Sequence, residues 1–263
     1  MLSFLAMGRG KIGARTLIQP AQRKRKFLSS EIIGHRGASL LAPKNTVASA
    51  KLAWEKGADA VECDIWLSKD NKIICSHDAN TKRTTGQDLK ISETNSKILR
   101  KLDAGSFKED KYKGEKLPFL NELIKTVPAG KELVIEIKCG SKVLPFLEKT
   151  IKKYERNRVF TFICFDFQTI AETKKIFPGN TCHCSNKDLL EANFSKVPEA
   201  GMEGISLHYS IISEDVMKRA AGLKLEVCSW TMDDPAEAKR LIALGVKGIT
   251  TNRPGWLEEQ INR

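Results

Sequence analysis

Glu62 and Asp64 stand two residues apart in the apolar run 60–67, and Glu136 and Lys138 repeat that spacing at the end of the run 133–138. An extended chain turns successive side chains to opposite faces, so residues i and i+2 share one face. Each pair therefore presents its charged groups side by side. Three carboxylates at neighbouring strand ends repel one another unless a proton or a cation lies between them. Oxygen ligands of this kind suit one hard divalent cation, Mg2+ or Ca2+. His35 follows the apolar run 32–34, and His77 follows 73–76. A single histidine after a strand reads as structural. Two at the same end of a sheet read as an acid/base couple, because an imidazole titrates near neutrality. Arg36 and Lys138 admit two roles, neutralising the acids in a structural network or binding an anionic substrate.

The elements that must hold these residues follow a regular alternation. From residue 31 onward, short β-rich runs alternate with amphipathic helical patterns. Strand 32–34 leads to a helix from Asn45-Thr46 that Gly57 closes. Strand 60–67, the turn Lys69-Asp70-Asn71 and strand 73–76 read as a hairpin extension. The polar stretch 79–116, with Gly86, Gly105 and Gly114, reads as a long excursion with short helices, the kind of segment that forms a lid or binding loop. Strands at 133–138, 159–165, 181–185, 204–207, 225–230 and 248–251 then each precede a helix. Eight main strands in this alternation predict an α/β protein, a (β/α)8 TIM barrel with a polar insertion after the second strand region. The alternative, an open doubly wound sheet, would place a glycine-rich phosphate loop early in the chain, and none is present. A barrel of this kind takes roughly 250 residues, close to the 263 here. It carries its active site at the C-terminal strand ends, where His35, Arg36, Glu62, Asp64, His77, Glu136 and Lys138 all fall.

The net charge of +12 suggests a polyanion binder until its distribution is considered. Arg9, Lys11, Arg15, Arg23, Lys24, Arg25 and Lys26 precede the first acid, Glu31, and removing those seven leaves +5. Residues 1–30 read as a basic tail, either disordered or a targeting segment, and 31–263 as one catalytic domain. The apolar stretch 2–7 is too short for a secretory signal, and no run reaches the ~20 apolar residues of a transmembrane helix. Seven cysteines, an odd number without a Cys-x-x-Cys, fit a reducing compartment and a cytoplasmic location. Cys182-His183-Cys184 is poorly spaced for a tetrahedral metal site.

Several blocks, in order, resemble the signature of the glycerophosphodiester phosphodiesterases. They are His35-Arg36-Gly37-Ala38, Pro43-x-Asn45-Thr46, Gly57-Ala58-Asp59-x-Val61-Glu62-x-Asp64, His77-Asp78 and Arg83-Thr84-Thr85-Gly86, then Glu136-Ile137-Lys138, Trp230-Thr231 and Gly245-Val246-x-Gly248-Ile249-Thr250-Thr251-Asn252-x-Pro254. The resemblance spans about residues 31–260. It implies a TIM barrel that hydrolyses small-molecule glycerophosphodiesters to sn-glycerol 3-phosphate and an alcohol. It implies metal ligation by Glu62, Asp64 and Glu136, acid/base catalysis by His35 and His77, and phosphate contacts from Arg36 and Lys138. Trp230 would line the pocket, or else serve ordinary barrel packing. Two positions depart from the family pattern: Lys44 stands where Glu is usual, and Asn252 where Asp is frequent. A lysophospholipase D-like enzyme on the same barrel is the nearest alternative. A non-enzymatic polyanion or membrane binder driven by the tail leaves the strand-end acids and histidines unexplained, and no nucleic-acid partner is expected. Which histidine is acid and which is base, and whether water or the glycerol hydroxyl attacks, stay open at this level.

Overall fold

The structure, a computed structural model, describes residues 30–185 and 194–262. Nine strands share one sheet: β1 (Glu31–Gly34), β2 (Ala60–Leu67), β3 (Ile73–Cys75), β4 (Glu132–Ile137), β5 (Val159–Cys164), β6 (Thr181–Cys184), β7 (Gly204–His208), β8 (Glu226–Trp230) and β9 (Gly248–Thr251). All but β3 pair in parallel, and β1 bonds both β9 and β2, so eight strands close into a barrel. β3 pairs antiparallel with β2, as the hairpin reading requires.

Helices return the chain between strands. In chain order they are α1 (Val47–Glu55), α2 (Lys82–Thr85), α3 (Ser96–Leu99), α4 (Leu120–Ile124), α5 (Leu144–Ile151), α6 (Phe167–Ile176), α7 (Lys196–Glu199), α8 (Glu214–Gly222), α9 (Pro235–Ala243) and α10 (Pro254–Ile261). Local chemistry sets several starts. Thr46 accepts the Ser49 N–H at 3.1 Å to cap α1, and Asp234 caps α9 ahead of Pro235. The helix expected from 119 to 127 shrinks to the five residues of α4. The helix expected directly after β6, and the tail 1–29, lie outside the described residues. None of the described helices is long and apolar enough to cross a membrane.

Strand parity decides what faces the barrel axis. Val61, Cys63 and Ile65 of β2, Leu133, Ile135 and Ile137 of β4, and Phe160 and Phe162 of β5 pack outward in the main core. Ile33, Ala60, Val134 and Ile163 form a separate inner cluster. Glu62, Asp64 and Glu136 share the inner parity. The polar insertion is more than a loop. Ile91, Leu99, Leu102, Ala104 and Leu117 bury themselves against Ile74, giving it a core of its own. Lys108 Nζ and the Tyr112 hydroxyl then donate to the carbonyls of Ser39 and Leu41, fastening the insertion to the loop after β1.

Candidate active site

The parallel register sets Asp64 of β2 directly beside Glu136 of β4. With Glu62 two residues earlier, the three acids offer one oxygen each within 4.8 Å of one another. All three are buried, Asp64 completely. Asp64 Oδ2 accepts from Asn45 Nδ2 at 2.8 Å and lies 3.1 Å from Arg36 Nε. Glu62 Oε2 accepts the Arg36 N–H at 2.9 Å. Lys138 Nζ donates to Glu136 Oε1 at 2.7 Å and lies 3.6 Å from Asp64 Oδ1. Glu62 Oε1 and Asp64 Oδ1 are buried without a hydrogen-bond partner. Orphaned buried carboxylate oxygens are costly, and a hard divalent cation satisfies both, so this donor set fits such an ion. Arg36 and Lys138 already neutralise the acids in part, while both also line the cavity above them.

That cavity, about 130 Å3, is lined by His35, Arg36, Glu62, His77, Glu136, Lys138 and Trp230, with Phe165 beside Trp230. Of the eight residues singled out from the sequence, only Asp64 sits beneath rather than on its wall. The turn that delivers His35 and Arg36 depends on Gly37, at φ +88°, where a Cβ would meet Ser49 atoms at 2.3–2.6 Å. Arg36 and Asn45 themselves hold φ of 54° and 58°, an uncommon region for a side-chain-bearing residue that recurs at functional sites. Trp230 anchors its Nε1 on the Ser206 carbonyl and packs edge-on to Phe165, with centroids 5.5 Å apart.

The two histidines have different supports. His35 Nδ1 pairs with Asn252 Oδ1 at 2.8 Å. Asn252 is itself clamped, with Nδ2 and the backbone N–H donating to Asp233 at 2.6 and 2.9 Å. His77 Nδ1 pairs with the Asp78 carboxylate at 2.7 Å, and Arg83 Nε holds the other Asp78 oxygen at 2.6 Å. Neither imidazole keeps the ordinary value of a solvated ring. Burial, then the Arg36 charge, lowers His35 to about 4. Burial also lowers His77, against the opposing pull of Asp78. Asp233, Asp78 and Arg83 were not among the residues singled out for a role. Asp78 is adjacent to His77, which is a signal, whereas Asp233 has none in the sequence.

With this geometry in place, similarity to known proteins decides the family. The model of the glycerophosphoryl diester phosphodiesterase family matches residues 35–256. The chain belongs to that family. A glycerophosphodiester phosphodiesterase of Caldanaerobacter subterraneus subsp. tengcongensis is 34% identical, over 86% of this chain and 95% of that protein. A lysophospholipase D of Rattus norvegicus is 25% identical, over 92% and 89%. A solved Oleispira antarctica phosphodiesterase, in complex with the product sn-glycerol-3-phosphate, is 26% identical, with a TM-score of 0.79 over 90% of this chain and 98% of that one. Members of the glycerophosphoryl diester phosphodiesterase family are hydrolases that depend on a divalent cation, and the buried acid triad can hold one.

The two departures from the family pattern acquire neighbours. Lys44 is half-buried, and burial, then the charges of Arg83, Arg36 and Lys108, lower its pKa. Its charge acts on His35, whose pKa it helps to lower. Asn252 puts a neutral amide behind His35, with the negative charge one residue further back at Asp233.

The triad also fixes a pH response. Burial, then Asp64, raises Glu136 to about 7, and burial with the neighbouring acids raises Glu62 well above its ordinary value. Raised folded-state values mean that the cation-free triad binds more protons in the folded than in the unfolded chain above pH ~4.5, so its contribution to stability falls as pH rises from there through about 7, while His35 and His183, lowered to about 4, contribute in the opposite sense. Thermal melts of cation-free protein should show the parent losing Tm relative to Glu136→Gln over that window. The Tm rise on adding Mg2+ or Ca2+ should be larger at pH 8 than at pH 5. Equal cation effects at both pH values would contradict the coupling.

Proposed function

We propose that the chain hydrolyses glycerophosphodiesters to sn-glycerol 3-phosphate and an alcohol, using one divalent cation, Mg2+ or Ca2+, held by Glu62, Asp64 and Glu136. The observation that carries this reading is the cavity that joins those acids to two cations and two histidines. A phosphodiester anion resists nucleophiles, and Arg36 and Lys138 lower that barrier by binding the phosphate oxygens and offsetting the charge that builds in the transition state. A divalent ion held by Glu62, Asp64 and Glu136 would supply further stabilisation of that charge.

The histidine supports divide the proton work. His35, neutral and fixed by Asn252 with Nδ1–H pointing away, offers its Nε2 lone pair to the attacking O–H. His77 is backed by an ionised carboxylate, because the Arg83 contact holds Asp78 far below the usual carboxylate range. That carboxylate favours the imidazolium against the larger opposing effect of burial, and this support assigns His77 Nε2–H as the donor to the alkoxide that leaves as the P–O bond breaks. Trp230 and Phe165 form the apolar wall for the glycerol or the departing alcohol. Residues 31–263 constitute the catalytic domain in this reading. Free thiols at Cys63, Cys75, Cys139, Cys164, Cys182 and Cys228 support a reducing compartment such as the cytoplasm.

A lysophospholipase D-like activity is the competing reading, and choline release separates the two. Glycerophosphocholine should be turned over at least about tenfold faster, in kcat/KM, than lysophosphatidylcholine, a difference of ~1.4 kcal/mol in transition-state binding. The reverse order would transfer the assignment to lysophospholipids.

A further inference from the structure

The N-terminal mouth of the barrel, opposite the catalytic mouth, contains a second cavity of about 230 Å3. Short side chains form part of its inner face. Gly204 and Gly248 begin β7 and β9, and Ser206 and Thr250 follow them inward. Three carboxylates, Glu31, Glu132 and Glu226, line this mouth against a single basic residue, Lys247. Lys247 Nζ stands 4.0 Å from both Glu31 and Glu226, too far for a hydrogen bond to either. A cavity whose charged lining is three acids to one lysine stands out in a chain of net charge +12, and it attracts cations.

Inside the mouth lies His183. β6 turns Cys182 and Cys184 into the helix-facing core and His183 the other way, into the cavity, so these three side chains cannot converge on one ion. His183 is 4% exposed, and its Nε2 has no hydrogen-bond partner. Gly204 makes room for that edge of the ring, since a Cβ there would stand 2.8 Å from Nε2. Burial lowers the His183 pKa to about 4, so the ring is neutral at physiological pH. As the Nδ1–H tautomer it presents a lone pair at Nε2, 4.0 Å from Glu226 Oε2. A lone pair and a carboxylate oxygen at that separation match a planar cation with several N–H donors. A guanidinium is that group, whereas an ammonium is a compact point charge without the fork. A bare metal ion fits poorly. The cavity is far larger than one ion, and among the described residues only Glu62, Asp64 and Glu136 bring ligand atoms close enough together.

We propose that the N-terminal mouth of the barrel is a second ligand site, which binds an alkylguanidinium group between the His183 imidazole and the Glu226 carboxylate. The group can come from a free small molecule or from the chain itself. Arg23-Lys24-Arg25-Lys26 precede Glu31, at the mouth, by five to eight positions in sequence.

Calorimetric titration of agmatine into the full-length protein, with Mg2+ present, tests the site and its source. The same titration is run on full-length protein carrying Arg23, Lys24, Arg25 and Lys26→Gln. Saturable one-to-one binding to both proteins identifies a free ligand as a sufficient occupant. Binding only to the neutralised protein identifies the chain's own basic residues as the occupant. In whichever protein binds, Glu226→Gln and His183→Asn should each weaken agmatine at least fivefold, and putrescine, which replaces the guanidinium by an ammonium at the same charge, should bind at least fivefold more weakly than agmatine. Glu226, on the exposed rim, keeps the test decisive if His183→Asn does not fold, and hydrolysis at the other mouth reports folding. The proposal is overturned by no saturable binding in either protein, by a loss under fivefold in a folded variant, or by putrescine binding within fivefold of agmatine.

Discussion

His77→Ala lowers kcat on a glycerophosphodiester by about 10³-fold and leaves cation affinity within a few-fold of the parent protein. Positioned proton transfer contributes roughly 10² to 10⁴ in rate, so a loss near the middle of that range corresponds to ~4 kcal/mol of transition-state stabilisation. Cation affinity survives because His77 contacts Asp78 and is not among the three clustered ligands. His35→Ala gives a loss of the same order for the same reason. The two differ in their response to the leaving group. An alcohol of low pKa departs without a proton, so a p-nitrophenyl phosphodiester should restore much of the rate to His77→Ala and little to His35→Ala. Steady-state kinetics on both substrates, with calorimetric cation binding in parallel, checks both statements. Near-parental hydrolysis of the natural diester by either variant would remove that histidine from the mechanism, and rescue of the wrong variant would reverse the acid and base roles.

Glu62→Gln and Glu136→Gln are expected to abolish turnover while stabilising the cation-free protein. Each removes one ligand charge, which should weaken the divalent cation by at least about 100-fold, the upper end of what disturbing a ligand's support alone does. Each also removes repulsion that a buried acid cluster suffers without a cation. Relief of ~1–2 kcal/mol raises Tm by roughly 2–8 °C in a protein of this size. Glutamine retains an oxygen that can accept from the Arg36 N–H or from Lys138, so the local contacts persist. Differential scanning calorimetry should therefore show a higher cation-free Tm in the variants and almost no further rise with Mg2+ or Ca2+. A variant that melts lower than the parent without a cation, yet still gains from it, would mean that these carboxylates are structural partners of Arg36 and Lys138.

The parts of this site that depend on strand parity could be read from the chain. Glu62/Asp64 and Glu136/Lys138 are bound to face one way once their runs are strands, and β2–β4 adjacency then brings them together. Asp233 was not legible, because its contact with Asn252 depends on how the segment after β8 lies against the end of β9. The asymmetry of the two histidines was hidden for a related reason. An imidazole's ordinary pKa belongs to a solvated ring, and only packing reveals that His35 is buried beside Arg36. The insertion read as a polar excursion because its apolar residues, Ile91, Leu99, Leu102 and Leu117, are spread too widely to show a period. They meet only against Ile74 of β3. His183 lay in a motif that spacing argued against as a metal site, and the outward turn of its two cysteine neighbours gives that spacing its physical meaning.

The central claim is cation-dependent release of sn-glycerol 3-phosphate by this one cluster of residues. Its most direct test is product formation from glycerophosphocholine and glycerophosphoethanolamine by protein stripped with a chelator, before and after Mg2+ or Ca2+ is restored. Stripped protein should form glycerol 3-phosphate at a rate indistinguishable from the uncatalysed reaction, and one of the two ions should restore turnover in the parent but not in Glu62→Gln. Equal product formation with and without the ion, or none with any divalent ion, would contradict the account.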